Sequence, residues 1–209
     1  MAPLGVYAIL CTPLRDVAKR TQALACIVGA ALTAAVLWLI GPVLLRLTPP
    51  LPFDAPWRTT LIHAALPEET LKLAALLLLW RSTGARNFRN ILVLATGIAC
   101  GFAAFENGLA VWYARQPGIV VLERLFFSIP AHMAYAAITA GVLAAGGIRF
   151  DWRRICLAWT AATTLHWAYD AALFGGNDPM VYALLAVSIA IVVLAWWCAI
   201  RSPPRLVAT

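Results

Sequence analysis

The sequence predicts an all-α membrane protein, a polytopic bundle of about six transmembrane helices. Of its 209 residues, 63% are hydrophobic and only 12% are charged, and the mean hydropathy is +0.83. Soluble and disordered domains carry about twice that share of charged residues. The apolar residues also cluster in runs of about 20, the length of helix that crosses roughly 30 Å of hydrocarbon.

Six such runs follow one another along the chain. They lie at about 23–45, 59–80, 90–113, 123–146, 155–174 and 180–200. The segments between them are short, and no linker, repeat or low-complexity stretch divides the chain. We therefore expect residues 1–209 to form a single integral membrane domain, with a motif-bearing core at about 59–174.

Basic residues are distributed unequally between alternate loops. One set of loops holds Arg15, Lys19, Arg20, Arg81, Arg86, Arg89, Arg149, Arg153, Arg154, Arg201 and Arg205. The other set holds only Arg46, Arg58, Arg115 and Arg124, and we expect Arg115, Glu123 and Arg124 to be solvated. Because cytoplasmic loops carry the excess of basic residues, both termini are expected in the cytoplasm. The net charge of +7 is then mostly topological, which argues against a nucleic-acid partner.

Ionisable residues nevertheless occur inside four successive predicted helices. They are Glu68, Glu69, Lys72, Glu106, His132, His166 and Asp170. A charged side chain at the centre of a membrane helix costs about 2.5–3.5 kcal/mol on insertion scales. Such residues therefore usually face a partner, a water-filled cavity or a reaction.

The depth and facing of these residues predict one cluster. At ~1.5 Å of rise per residue, Glu69, Glu106, His132, His166 and Asp170 lie roughly 8–16 Å from the outer ends of their helices, in the outer half of the membrane, whereas Lys72 lies deeper. Residues four apart share a helix face, as in EETLK (68–72), FAAFE (102–106) and HWAYD (166–170). Gly97 and Gly101 have the spacing that lets a neighbouring helix approach closely, which would help to close a pocket around Glu106.

Pro67 directly precedes the two glutamates and allows two geometries. It either kinks a continuous helix or occupies the first position of a helix that begins there. Four carboxylates in a poorly hydrated site cannot all be charged, because their like charges repel and burial disfavours ionisation. A mixture of charged and neutral carboxylates beside two imidazoles favours general acid and base chemistry.

These motifs, in this order, resemble the PrsW family of intramembrane proteases, which is related to the larger CAAX-processing and Abi protease superfamily. The matching patterns are Glu-Glu-x-x-Lys at 68–72, Phe-x-x-x-Glu at 102–106, the single histidine His132, and His-x-x-x-Asp at 166–170. Each motif alone is weak, whereas four motifs in order in four successive helices are specific. The resemblance extends over about 67–170.

The resemblance implies a glutamic-type peptidase without a cofactor. Glu69 with His132 would activate a water while Lys72 holds Glu68, or the two glutamates would exchange these roles. His166 with Asp170 would stabilise the oxyanion, and Glu106 would orient a histidine or protonate the leaving amine. Phe102 would support the site. The implied substrate is a membrane-anchored protein such as an anti-sigma factor, cleaved outside the cytoplasm in the bacterial inner membrane.

Two alternatives remain open. In a zinc-dependent protease, His132, His166 and Asp170 would bind the metal and Glu69 would act as the base. In a proton-coupled carrier, the buried acids and histidines would relay protons. A carrier would also require inverted repeats or a polar pathway across the membrane, and the sequence contains neither feature.

Overall fold

The computed structural model describes residues 4, 7, 8, 11, 19–49, 56–83, 87–145 and 151–201. From residue 19 onward, these residues form six helices and no strand, which confirms the all-α prediction. We name them α1 (Lys19–Leu47), α2 (56–83), α3 (Phe88–Tyr113), α4 (117–144), α5 (Trp152–Phe174) and α6 (Asp178–Arg201). The largest difference from the predicted boundaries is at α4, which begins six residues before the predicted start at 123, so Arg124 lies well inside the helix and not at its first turn.

Four of the six helices are long and apolar enough to cross a membrane. These are α1, α3, the segment Val121–Ala144 of α4, and α6. The other two helices, α2 and α5, contain most of the polar residues singled out above, which lowers their hydropathy. The number of crossings and the cytoplasmic placement of both termini stay predictions. Four of the arginines used for that orientation, Arg15, Arg86, Arg149 and Arg205, lie outside the described residues.

Three helices contain one wide π-helical turn, and each wide turn lies just before a proline. The turns are Val36–Ile40, Leu61–Ala65 and Arg124–Ser128, and the prolines are Pro42, Pro67 and Pro130. A proline has no N–H to donate and its ring crowds the preceding turn. The residue before each proline therefore donates its N–H five residues back, as Leu66 does to the Leu61 carbonyl oxygen. Of the two geometries proposed for Pro67, the structure has the continuous helix.

Helix α3 lies at the centre of the bundle and packs closely against α1. A side chain at Gly101 would collide with the carbonyl oxygen of Cys26, so the two backbones are almost in contact there. The Thr33 hydroxyl also donates a hydrogen bond to the Phe102 carbonyl oxygen at 3.1 Å. This contact holds the start of the FAAFE segment in place. Small residues thus allow the close approach that the glycine spacing predicted.

Candidate active site

The predicted site residues converge into one cluster built from four helices. Helix α2 contributes Glu68, Glu69 and Lys72, α3 contributes Phe102 and Glu106, α4 contributes His132, and α5 contributes His166 and Asp170. The i, i+4 spacing in each motif presents its two groups on one helix face, and the helices bring those faces together. The convergence predicted from depth and facing is therefore present in the fold.

Lys72 lies at the centre of the cluster and is almost completely buried. Its Nζ atom is 2.9 Å from Glu69 Oε1, 3.3 Å from Glu68 Oε2 and 3.2 Å from His132 Nδ1. The same ammonium group lies 4.1 Å from the centre of the Phe102 ring, where a cation–π contact adds to the charge pairing. Phe102 therefore supports the site by holding Lys72 from one side.

His132 links Lys72 to a second chain of polar groups. The Lys72 ammonium can only donate, so His132 Nδ1 is its acceptor and the ring proton is on Nε2. His132 Nε2 then donates to Glu106 Oε2 at 3.0 Å. Glu106 Oε1 accepts from the Arg124 guanidinium at 2.9 Å. Both oxygens of Glu106 are therefore occupied, and this carboxylate orients His132.

His166 is held between two carboxylates. Its Nδ1 atom is 2.9 Å from Glu69 Oε1, and its Nε2 atom is 3.3 Å from Asp170 Oδ2. The ring is buried and stacks on Tyr135, with ring centroids 4.7 Å apart and an interplanar angle of 14°. These contacts fix the position and rotation of the imidazole from three sides.

A cavity of about 480 Å³ opens beside the cluster. Helices α2 to α6 all contribute to its wall. The polar lining residues are Glu68, Glu106, Glu123, Arg124, Ser128, His132, Tyr135, His166, Tyr169, Asp170, Asp178 and Tyr182. Its apolar lining comes from residues such as Phe127, Leu173 and Phe174. A cavity of this size accepts a short stretch of extended peptide.

The two adjacent glutamates face different surroundings. Glu68 lines the large cavity, and its Oε1 atom makes no hydrogen bond or ion pair with another residue in the described ranges. Glu69 is more deeply buried, is absent from the lining of the large cavity and borders a separate space of about 20 Å³. Its Oε1 atom accepts from both Lys72 and His166. A substrate in the large cavity would therefore meet Glu68 and not Glu69.

The structure adds polar residues that the sequence reasoning did not include in the site. Arg124 was expected to be solvated, but it is only half-exposed and pairs with Glu106, because α4 begins earlier than predicted. Asn107 Oδ1 accepts from the Ser128 hydroxyl at 3.1 Å, which adds a second polar link between α3 and α4. Tyr135 and Tyr169 line the cavity. The sequence contains a pattern that could have identified both tyrosines, because each follows a site histidine by three residues, in HMAY (132–135) and HWAY (166–169).

The charges of the cluster are only partly compensated by its permanent cations. Four carboxylates, Glu68, Glu69, Glu106 and Asp170, face Lys72 and Arg124, which leaves two negative charges. Protons on the histidines or carboxylates would balance them, and so would one divalent cation. The cluster is therefore suited both to acid and base chemistry and to metal binding.

Two sets of side chains in the described residues are arranged closely enough to bind a metal ion. The ligand atoms of Glu68, Glu106 and His132 lie within 4.8 Å of one another, and so do those of Glu68, Glu69 and His166. Imidazole nitrogens and carboxylate oxygens are ligands that zinc accepts, so the residues fit the group. Both sets contain Glu68. His132, His166 and Asp170, the zinc ligands suggested by the sequence, do not form one of these sets. The residues that could bind a metal therefore differ from those that the sequence suggested.

Apolar helices that enclose a cavity lined by carboxylates and imidazoles form the arrangement expected of an integral membrane hydrolase. A sequence model described as PrsW family intramembrane metalloprotease matches residues 18–197, which is most of the chain. The chain therefore belongs to the PrsW family of intramembrane proteases. Searches among curated proteins and among solved structures find no match.

Proposed function

We propose that this protease is an endopeptidase that cleaves peptide bonds in or near the transmembrane segments of membrane-anchored proteins, with Glu68 as the base that activates water. The observation that carries this assignment is that Glu68 lines the large cavity with its Oε1 atom unbonded to any residue that the structure describes, whereas Glu69 does not line that cavity. Of the two assignments that the sequence left open, we therefore favour the one with Glu68 as the base.

The reaction needs one proton carrier at the cavity wall. Glu68 accepts a proton from water as the water oxygen forms a bond to the scissile carbonyl carbon. Collapse of the tetrahedral intermediate breaks the C–N bond, and Glu68 returns the proton to the leaving amine. The carboxylate ends the cycle in its original state, so no other group has to exchange a proton with solvent.

The remaining residues hold Glu68 and the histidines in position. Lys72 lies 3.3 Å from Glu68 Oε2, which leaves Oε1 available to the water. Glu69 anchors both Lys72 and His166, and Glu106 holds His132. This arrangement favours Glu106 as an orienting residue over its alternative role as the acid for the leaving amine.

Metal-dependent catalysis is the second candidate, because Glu68 belongs to both converging ligand sets and the family description names metalloproteases. Zinc held by Glu68, Glu106 and His132 would supply Lewis-acid polarisation of the carbonyl and a more reactive bound water. We rank the metal-free mechanism first because the Lys72 ammonium already contacts Glu68 and His132 and would repel a cation there.

Chelation separates these two mechanisms. Purified protein in liposomes, treated with excess chelator and assayed on a cleaved single-span reporter, should keep its activity under the metal-free mechanism. Loss of activity on chelation, recovery with added zinc and one zinc per chain by elemental analysis would establish the metal mechanism. The family assignment stands in either case.

The substrate class follows from the position of the site among the helices. The described chain has only short connections between α3 and α4 and between α5 and α6, so substrate selection would occur between helices near Phe127 and Tyr182 at the cavity wall. A membrane-anchored anti-sigma factor fits this class. A panel of single-span reporter proteins in liposomes, with product masses measured, tests the proposal, and the absence of cleavage across the panel would contradict it.

The outer location of the site can be tested separately. Gln116 is exposed in the connection between α3 and α4, which the distribution of basic residues predicts to lie outside the cytoplasm. Gln116→Cys should react with a membrane-impermeant thiol reagent applied to intact cells. The native Cys156, exposed near the start of α5, should remain unlabelled, and the reverse pattern would overturn the orientation.

A further inference from the structure

The wide turn Arg124–Ser128 in α4 has a polar residue at each end, and both side chains contact one oxygen atom on α3. The Ser128 hydroxyl donates to Asn107 Oδ1 at 3.1 Å, and the Arg124 guanidinium lies 3.5 Å from the same oxygen. In the other two wide turns, no side chain makes a hydrogen bond to another helix within the described ranges. Asn107 therefore holds both ends of this turn against α3.

The orientation of the Asn107 amide follows from its partners. An arginine side chain can only donate hydrogen bonds, so the amide atom that faces Arg124 is the acceptor oxygen. The amide nitrogen is then buried and makes no hydrogen bond with any residue that the structure describes. Burial of an unpaired N–H group is unfavourable, and an apolar residue would avoid that cost. The acceptor oxygen is therefore the part of Asn107 that contributes to the site.

The wide turn also brings Arg124 and His132 onto one face of α4. Both side chains contact Glu106, Arg124 at Oε1 and His132 at Oε2. In a regular α-helix, residues eight positions apart point ~80° away from each other, at ~100° per residue. A wide turn takes up about one additional residue, which reduces this offset to about 20°. One carboxylate can therefore bind both side chains.

We propose that Asn107 is a positioning residue, which holds the wide turn of α4 at the rotation in which Arg124 and His132 both bind Glu106. Pro130 accounts for the presence of a wide turn, whereas Asn107 fixes the turn against α3. Asn107 does not line the large cavity, so it acts through these residues and not on the substrate. The inference rests on the proposed peptidase function.

The activity test uses Asn107→Leu, which removes the acceptor and keeps a side chain of similar size. On a single-span reporter in liposomes, kcat per folded chain should fall by about 10–100-fold, because a displacement of about 1 Å at a catalytic group costs up to about 100-fold. KM should stay within about twofold, since Asn107 lies outside the cavity lining. The double variant with Arg124→Gln should lie within about threefold of the more impaired single variant, because both changes act through Glu106.

Hydrogen–deuterium exchange in detergent examines the turn itself and needs no substrate. The amides of Arg124–Ser128 should exchange about tenfold faster in Asn107→Leu, because the turn loses its side-chain contacts to α3. Ser128→Ala, a smaller change that removes one of the two contacts, should speed exchange in the same turn. Asn90→Leu is the matched control on α3, since the Asn90 side chain makes no hydrogen bond within the described residues and lies outside the cavity lining.

The two measurements separate this inference from the proposed function. Wild-type exchange of the turn in both Asn107→Leu and Ser128→Ala would overturn the inference while the proposed function stands. Unchanged kcat in Asn107→Leu, or additive effects of Asn107→Leu and Arg124→Gln, would do the same. Failure of the wild-type protein to cleave any reporter would overturn the proposed function and the positioning role in catalysis, and the exchange rates would still show whether Asn107 holds the turn.

Discussion

Glu68 and Glu69 are adjacent in the chain, yet only Glu68 lines the large cavity, while Glu69 lies 2.9 Å from both Lys72 Nζ and His166 Nδ1. Adjacent helical residues point about 100° apart. One carboxylate of the pair therefore reaches the substrate space, and the other anchors the cation and the histidine that shape it.

Lys72→Met should destabilise the fold. Methionine retains a long side chain but removes the positive charge between Glu68, Glu69 and His132. Loss of one partner of a buried ion pair costs about 3–5 kcal/mol, because the remaining charges stay buried without compensation. Thermal and denaturant unfolding in detergent would measure the change. Lys19→Met is the matched control, since Lys19 is exposed at the start of α1, and equal stability of the two variants would refute a central role for Lys72.

Arg124→Gln should reduce activity through Glu106. The guanidinium holds Glu106 Oε1 while His132 Nε2 holds Oε2, so loss of Arg124 leaves Glu106 free to rotate away from His132. Removal of a residue that orients a metal-binding histidine typically costs 10–100-fold in activity, and we expect a fall of about that size in kcat of reporter cleavage from the loss of orientation of His132.

A double-mutant cycle would establish that Arg124 acts through Glu106. In a Glu106→Gln background, Arg124→Gln should have little further effect, because the two residues act as one unit. Arg115→Gln provides the control, since Arg115 is exposed in the connection before α4. Additive effects of Arg124→Gln and Glu106→Gln would show that Arg124 acts independently of Glu106.

Gly101→Ala and Gly108→Ala should change stability in opposite directions, although both positions lie in α3. A Cβ at Gly101 would collide with the Cys26 carbonyl oxygen on α1, whereas a Cβ at Gly108 meets no atom within 4 Å. We expect Gly101→Ala to cost about 1–3 kcal/mol through overpacking. Gly108→Ala should gain up to about 1 kcal/mol from helix propensity. Parallel denaturant titrations would measure both values, and a neutral Gly101→Ala would contradict close packing of α1 on α3.

Hydropathy and spacing were sufficient to predict the helices and the convergence of the motifs. Apolar runs locate helices well, because about 20 residues are needed to cross the hydrocarbon. Four-residue spacing within EETLK, FAAFE and HWAYD correctly placed Glu68, Glu106 and Asp170 on faces that meet. These features depend on local periodicity, which the sequence records directly.

The role of each glutamate and the contact made by Arg124 could not be predicted in the same way. The wide turn at Leu61–Ala65 changes the rotation of α2 just before Glu68, so ideal helical spacing from the outer end does not identify which glutamate faces the cavity. Hydropathy placed Arg124 beside the predicted start of α4, at 123. In the structure that helix begins at residue 117. The Arg124 side chain contacts Glu106, which lies 18 positions earlier in the chain.

The most direct test of the account compares Glu68→Gln with Glu69→Gln on one cleaved single-span reporter in liposomes, with Asp151→Asn as a control at the helix cap of α5. Loss of a general base lowers the rate by about 10²–10⁴-fold. We predict that Glu68→Gln loses activity to this extent and keeps its thermal stability. Glu69→Gln should lose stability and retain measurable cleavage. Wild-type kcat in Glu68→Gln, with activity abolished only in a stably folded Glu69→Gln, would contradict the central claim.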